Sequence, residues 1–171
     1  MKLTTNVAGA KSWLTVGAAA ALIGLAAPST ALAQAVLDLP AGLACEFDLR
    51  VTIDSSTHRV YKEFYDKNGN LVRVLTAGKG NELSFSNLNS GATLSLKGNG
   101  SVEHVALHPD GTQTWRTTGH NVLILFPTDV PAGPSTTLYM GRVVFTVDTS
   151  GVFTLRTTSG KSMDICAALS N

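Results

Sequence analysis

Three arginines and one tryptophan are the residues whose types and spacing best suit ligand binding. Arg73, Arg116 and Arg156 each lie near the middle of a predicted strand, and Trp115 precedes the second of them. Guanidinium groups aligned across a sheet form a basic row that can hold an acidic glycan or a lipid headgroup. An exposed tryptophan would add a surface on which a sugar ring can stack. The alternative is structural: the arginines shield the outside of a sheet, and Trp115 belongs to the core.

The three arginines recur in a weak internal repeat. Each predicted strand follows a turn that contains aspartate and glycine, and each strand ends at a further glycine. A spacing of about 40 residues between repeats is typical of a β-trefoil, although evenly spaced hairpins also produce it. The hairpin interpretation is favoured, and the trefoil is the alternative. The turn glycines are Gly69, Gly111 and Gly151, and the strand-end glycines are Gly78, Gly119 and Gly160.

Residues for catalysis or metal binding form no recognisable motif. His104 and His108 are four residues apart, which on a strand separates them by about 13 Å, too far to share one ion. Paired carboxylates of a glycosidase could come from Glu46, Asp48, Glu63 and Glu103, but strand alternation places Glu46 and Asp48 on a solvent face. We therefore expect no catalytic residue, no metal and no cofactor. A hydrolase whose site is assembled from distant residues remains the alternative.

The two cysteines of the chain, Cys45 and Cys166, are predicted to form a disulfide. Two cysteines in an exported domain favour a disulfide over a metal or redox site. On the chain-entropy model, closing a loop of this length stabilises the fold by up to about 5 kcal/mol. The bond would tie the two ends of the domain together.

The first 33 residues have the three parts of an export signal. A short polar segment with Lys2 and Lys11 precedes an apolar run at residues 13–27, and Ala31-Leu32-Ala33 offers a cleavage site. The run is shorter than the roughly 20 residues of a membrane-spanning helix, so secretion without a stable membrane anchor is expected.

Without the signal the formal charge is −1. That balance argues against a nucleic-acid partner, which requires a concentrated basic surface.

The elements that position these residues are predicted to be strands. Residues 34–43 form a mobile lead-in, and residues 44–171 form one all-β domain without helical periodicity. Nearly every connection has hairpin length, which favours an antiparallel up-and-down meander closed as a barrel or barrel-like sandwich, with the disulfide at its seam. About twelve strands are predicted, at residues 44–53, 58–66, 71–77, 82–86, 92–97, 101–107, 112–118, 121–126, 136–140, 142–148, 152–158 and 162–169.

Three segments together carry a family resemblance. Residues 61–86, residues 119–133 and the ending Asp164-Ile165-Cys166 resemble small secreted proteins of high-GC Gram-positive (actinobacterial) bacteria that have no assigned activity. The resemblance implies an extracellular location, with cell-wall association as an alternative. It implies no mechanism.

The expected function is non-catalytic binding by a secreted protein. The ligand would be a small apolar molecule inside the barrel, or a glycan or protein partner at the loops, above all at the proline-rich residues 127–135. Two alternatives remain: the extracellular hydrolase, and a structural protein of the cell envelope.

Overall fold

The computed structural model describes residues 34–56 and 58–170. These residues form ten β-strands, one short helix and the turns and loops that connect them. The predicted export signal, residues 1–33, lies outside the described residues. No helix in the described ranges is long and apolar enough to cross a membrane. The elements are β1 (Gln34–Leu39), β2 (Leu49–Asp54), β3 (Arg59–Tyr65), β4 (Leu71–Lys79), β5 (Glu82–Asn87), β6 (Thr93–Leu96), β7 (Gly100–Leu107), β8 (Gln113–Leu125), β9 (Ser135–Val147), β10 (Phe153–Asp164) and α1 (Ile165–Leu169).

The strands form two antiparallel sheets, which confirms the all-β prediction. One sheet has the order β1-β2-β5-β6, and the other has the order β10-β9-β8-β7-β4-β3. The predicted closed barrel is wrong, because the described strands form two open sheets. The simple meander is also wrong, because β2 pairs with β5 and β4 pairs with β7. A trefoil is excluded as well, since the strands divide into four and six and not into three equal units.

The predicted count of twelve strands is wrong because glycines do not end the last three strands. β8, β9 and β10 each run through a glycine at which two separate strands were expected. One strand was also missed: residues 34–39, expected to be mobile, form β1, which pairs with β2 along its whole length. Three mergers and one addition turn twelve strands into ten.

A row of glycines crosses the six-stranded sheet. Gly78, Gly119, Gly141 and Gly160 are in register from β4 to β10, with Ser101 of β7 between the first two. A β-carbon at each glycine would lie 2.0–2.4 Å from a backbone oxygen of a neighbouring strand. Such close backbone approach is possible only without a side chain, and glycines of this kind mark sharp bends in sheets. We call this row the glycine line.

At the glycine line, strands β8 to β10 fold back on themselves. Leu123 pairs with Thr137, and Val143 lies six residues further along β9, about 20 Å away on a straight strand. The bend nevertheless brings both into one buried cluster, which consists of Leu123, Leu125, Val143 and Phe145. We call the part before the bend the outer arm (β3, β4, β7 and residues 113–119, 141–147 and 153–160) and the part after it the inner arm (residues 119–125, 135–141 and 160–164).

The four-stranded sheet packs against the inner arm and forms the second core. Its inward side chains, among them Leu49, Val51 and Phe85, share one cluster with Leu138 of the inner arm and with Ile165 and Leu169 of α1. All of these side chains are less than a tenth exposed. The molecule is therefore layered: the four-stranded sheet, the inner arm, and the outer arm, whose convex face remains in solvent.

The predicted disulfide is confirmed, with a Cα–Cα distance of 5.5 Å between Cys45 and Cys166. Its surroundings differ from the prediction, because residues 44–48 are a turn before β2 and Cys166 lies in α1. The bond therefore joins a turn to a helix and not two strands at a seam. The buried Thr136 hydroxyl lies 3.8 Å from the Cys45 sulfur and donates a hydrogen bond to the Ala44 carbonyl (3.0 Å).

The weak repeat corresponds to three hairpins of the six-stranded sheet, as the favoured interpretation predicted. In the turn between β3 and β4, Asp66 N donates to Asn70 O and Gly69 N donates to Asp66 O. The same two backbone bonds close the turns at residues 108–112 and 148–152. The strand-end glycine of each repeat lies on the glycine line. The repeat therefore corresponds to three hairpins that have the same type of turn and that each reach the glycine line.

Candidate functional site

Strand register assigns the side chains of the outer arm to its two faces. In an antiparallel sheet, residues directly opposite each other project to the same side. The concave side carries the buried cluster with Val143 and Phe145. Because side chains alternate along a strand, the residues between the concave ones form the convex face; we call this alternation the parity of a residue. Three rows cross this face: Phe64, Arg73, Ala106, Thr114, Thr146 and Thr154; Lys62, Leu75, His104, Arg116, Val144 and Thr157; and Val60, Ala77, Val102, Thr118, Arg142 and Ser159.

Five basic side chains project from these rows, and all five are exposed. No carboxylate belongs to the rows, because Glu63 and Glu103 have the opposite parity. Among the described residues, the ion pairs are Arg50–Asp38, Arg59–Glu103 and Lys79–Glu82, and none involves the convex face. The cations there are thus not neutralised by the protein itself. We call this surface the basic face, defined by Lys62, Arg73, His104, Arg116 and Arg142.

The spacing of the basic face follows from the sheet. His104 and Arg116 are directly opposite each other, about 5 Å apart at the backbone. From Arg116, Arg142 is one strand and one row away, roughly 8 Å, and Arg73 is two strands and one row away, roughly 12 Å. The cations therefore form a two-dimensional array and not a single line.

Phe64 supports two of these cations. The Arg73 guanidinium carbon lies 3.9 Å from the centre of the Phe64 ring, and the Lys62 ammonium lies 5.1 Å from it. A cation over an aromatic face gains about 0.5–1 kcal/mol at an exposed site. The ring thereby restricts the orientation of both side chains without neutralising their charge.

Five threonines belong to the same rows as the basic side chains. Thr114, Thr118 and Thr146 belong to the convex rows, as do Thr154 and Thr157 of β10. A hydroxyl both donates and accepts hydrogen bonds, as a sugar hydroxyl does. The face therefore offers charge and hydrogen bonding on one surface.

A shallow groove lies where the basic face meets the glycine line. Its volume is about 330 Å³. Val102 and Thr118 line it from the third convex row, and Arg142 is directly opposite Thr118. Gly78, Gly100, Ser101 and Gly119 complete the lining. The groove exists because the glycines leave the bend without side chains.

The structure separates the residues that the sequence grouped as ligand-binding. Arg73 and Arg116 lie together on the basic face. Arg156 is exposed and lies at a β-bulge, where the pairing shifts between Leu155 and Thr157, so it has no directly opposite residue in β9. Trp115 lies on the concave side, half-buried, with its ring stacked on Phe145 at 5.6 Å. The register therefore assigns Arg73 and Arg116 to one face and gives Arg156 no row, and the tryptophan belongs to the core.

Three members of the basic face were missed in the sequence: Lys62, His104 and Arg142. The signal that could have found them is parity, since each lies an even number of residues from a convex position in its own strand. Applying that rule requires the register between strands, which the sequence alone does not provide. His104 and Arg142 flank Arg116 only because β7 and β9 are its neighbours.

The concave side of β3 carries a second polar cluster. The hydroxyls of Tyr61 and Tyr65 both donate to the carboxylate of Glu63, that of Tyr61 at 3.0 Å. The hydrogen bonds from Tyr65 and Tyr61 hold the pKa of Glu63 below its ordinary value. The bond to Glu63 raises the pKa of each tyrosine. Both rings are more than half exposed.

The residues considered for metal binding or catalysis are scattered. His104 lies mid-strand on the basic face, whereas His108 lies in a turn, with its Nε2 2.8 Å from the Thr114 hydroxyl. In the described ranges, no group of three or more histidine, cysteine or acidic residues is placed to hold a metal ion.

The proline-rich segment is held by the buried Asp129, whose carboxylate accepts hydrogen bonds from Phe126 N (2.6 Å) and Phe153 N (2.8 Å).

Comparison of the chain with family models, with curated proteins and with solved structures finds no match. Functional inference therefore depends on the geometry of the molecule.

Proposed function

We propose that this is a secreted, non-catalytic binding protein whose basic face holds an acidic glycan. The observation that carries the proposal is the array of five exposed basic side chains on a sheet face without a carboxylate. A surface of one charge sign attracts a ligand of the opposite sign and raises its local concentration. The disulfide is consistent with an extracellular location, where such glycans occur.

The composition of the face favours a glycan over other anions. Threonine hydroxyls lie in the same rows as the basic side chains and match the hydroxyls of a sugar chain. The near-neutral charge of the whole chain, +1 including the signal, is unlike that of a nucleic-acid-binding domain. The face also lacks the large exposed aromatic side chains with which proteins enter a bilayer.

Binding of this kind is weak for each contact and depends on several contacts together. An exposed ion pair contributes about 0.2–1 kcal/mol and is screened by salt. A polymer that meets the lysine and three arginines of the basic face at once adds these contributions and releases bound counterions. We therefore expect affinity to fall steeply as the salt concentration rises.

The test is calorimetric titration of the purified protein with polygalacturonate, with neutral dextran as the uncharged comparison. The double variant Arg116→Gln/Arg142→Gln should bind polygalacturonate about fivefold to tenfold more weakly. Arg50→Gln is the matched control, because Arg50 is an exposed arginine on the outward face of the other sheet. It should stay within about twofold of the wild-type affinity.

Three results would overturn the proposal. One is an equal loss of affinity for polygalacturonate in Arg116→Gln/Arg142→Gln and in Arg50→Gln. Another is equal binding of dextran. A third is binding to vesicles of anionic lipid without binding to polygalacturonate, which would identify a membrane surface as the ligand.

A further inference from the structure

The edge strands of the six-stranded sheet are β10, of which one bridge covers residues 153–155, and β3, which is open. At β10, residue Val130 forms a bridge: Val130 N donates to Phe153 O (2.8 Å) and Leu155 N donates to Val130 O (2.7 Å). At the other edge, no described residue pairs with the outer side of β3. An uncovered edge presents unpaired backbone groups that can join another strand.

β3 is also exposed on both of its faces. Val60 is 67% exposed, Tyr61 61% and Tyr65 57%. They are three of the seven large hydrophobic side chains that are exposed among the described residues. Among the described residues, β4 is the element that β3 mainly contacts. The apolar surface of the outer arm is therefore concentrated at its open edge.

The hydrogen-bond pattern shows which backbone groups of β3 are free. Lys79 N donates to His58 O (3.0 Å), which makes these two residues a hydrogen-bonded pair of the ladder with β4. Bonded and non-bonded pairs alternate in an antiparallel ladder. The bonds to β4 therefore use Val60, Lys62 and Phe64. The N–H and C=O groups of Arg59, Tyr61, Glu63 and Tyr65 point outward.

We propose that β3 pairs antiparallel with β3 of a second copy of this chain, about a twofold axis at Lys62. Lys62 is the middle residue of Arg59–Tyr65, so this register uses the whole strand. It also joins outward-pointing residues to each other: Arg59 lies opposite Tyr65 of the second copy, and Tyr61 lies opposite Glu63 of the second copy. In a register shifted by one residue, an outward-pointing residue of one copy would lie opposite a residue of the other copy that already bonds to β4. Such a register cannot form a ladder of hydrogen bonds.

Side chains across the twofold axis are complementary except at its centre. Val60 meets Phe64 of the second copy, an aliphatic–aromatic pair that stabilises sheets. The Tyr61 hydroxyl, which already donates to Glu63 of its own strand, lies beside the same type of carboxylate across the axis. Lys62 faces the Lys62 of the second copy, and this like-charge pair weakens the contact.

The pairing has a consequence for the basic face, which rests on the proposed function. Strands that pair antiparallel keep their convex sides on the same side of the sheet, so the two basic faces become one surface. An acidic polymer that spans both copies would offset the repulsion at Lys62 and gain avidity from two sites. Polygalacturonate should therefore strengthen the dimer.

The experiment is sedimentation velocity of the purified protein over a range of concentrations, without polymer. Wild type should show a reversible monomer–dimer equilibrium. Lys62→Gln should tighten the dimer roughly twofold to fivefold, because it removes the like-charge pair. Lys67→Gln in the neighbouring turn is the control for the same charge change and should leave the equilibrium unchanged. Glu63→Pro should abolish the dimer, since it removes an outward N–H and no bond to β4.

Hydrogen exchange tests the register without any variant. Raising the protein concentration should slow exchange at the amides of Tyr61 and Glu63 and leave those of Lys62 and Phe64 unchanged, since the latter already bond to β4. Two results would overturn the pairing: a monomer at every concentration, or slowed exchange at the amides of Lys62 and Phe64 instead of those of Tyr61 and Glu63. A dimer that polygalacturonate does not tighten would contradict the proposed function and leave the pairing intact.

Discussion

Gly119 and Gly141 lie directly opposite each other in β8 and β9, and neither position has room for a β-carbon. A β-carbon at Gly119 would lie 2.2 Å from the Gly100 carbonyl oxygen, and one at Gly141 would lie 2.0 Å from the Ser159 carbonyl oxygen. The bend at this pair separates the outer arm from the inner arm. It therefore decides which side of the sheet remains in solvent and carries the basic face.

Replacing Gly141 by alanine should destabilise the protein by about 2–4 kcal/mol, because neighbouring backbone must move. Gly69→Ala is the matched control: its φ is +83° but nothing lies within 4 Å of its β-carbon position. That change should cost only about 1–2 kcal/mol, through backbone strain alone. Urea unfolding followed by the fluorescence of Trp115 measures both. Equal losses would show that the bend tolerates a side chain.

The disulfide should contribute about 3–5 kcal/mol to the free energy of unfolding, because it closes a loop of 121 residues in the unfolded chain. The variant Cys45→Ser/Cys166→Ser should unfold at a lower urea concentration than the wild type. Wild-type protein treated with reductant under unfolding conditions should match the variant. A midpoint that does not move would mean that packing of α1 alone fixes this end of the molecule.

Asp129 should be required to hold residues 127–134 against β10. Its carboxylate accepts from two backbone donors, Phe126 N and Phe153 N. In Asp129→Asn the amide nitrogen cannot accept, so one buried N–H loses its partner, at a cost of about 1–3 kcal/mol. Thermal unfolding reports the loss, and hydrogen exchange at Phe126 and Phe153 locates it. Asp54→Asn, at the exposed end of β2, serves as the control and should have little effect.

Glu63 should make the stability of β3 depend on pH in the acidic range. Because the tyrosine hydrogen bonds depress its folded-state pKa, the carboxylate stabilises the folded form above its unfolded pKa. This contribution is lost as the pH falls through the folded pKa. In Tyr61→Phe/Tyr65→Phe the pKa of Glu63 should rise toward its ordinary value, as measured by NMR titration of the carboxyl carbon. An unchanged pKa would show that the two hydroxyls do not bond to it in solution.

Local pattern identified most of the strands and the turns between them. Asn68-Gly69 predicted a hairpin because both residues tolerate positive φ, and the structure has a tight turn there. The same reasoning fails at Gly119, because it predicts the end of a strand there and β8 continues through it. A glycine in a turn and a glycine at a bend look alike in a sequence, because what distinguishes them is the neighbouring strand's backbone.

The candidate site divides in the same way. Arg73 and Arg116 were identified from their positions in a repeat, which is a property of the chain. Trp115 was assigned to the same site because it is adjacent to Arg116, yet adjacent residues of a strand project to opposite faces. The repeat also does not predict the bulge in β10, which leaves Arg156 without a register partner.

The sequence alone determined the all-β class and the pairing of Cys45 with Cys166, because side-chain alternation and cysteine count are properties of the chain itself. The tertiary structure alone decided the two open sheets, the bend at the glycine line and the membership of the basic face. These depend on which strands are neighbours and in what register, and neighbouring strands are set by contacts between residues far apart in the chain.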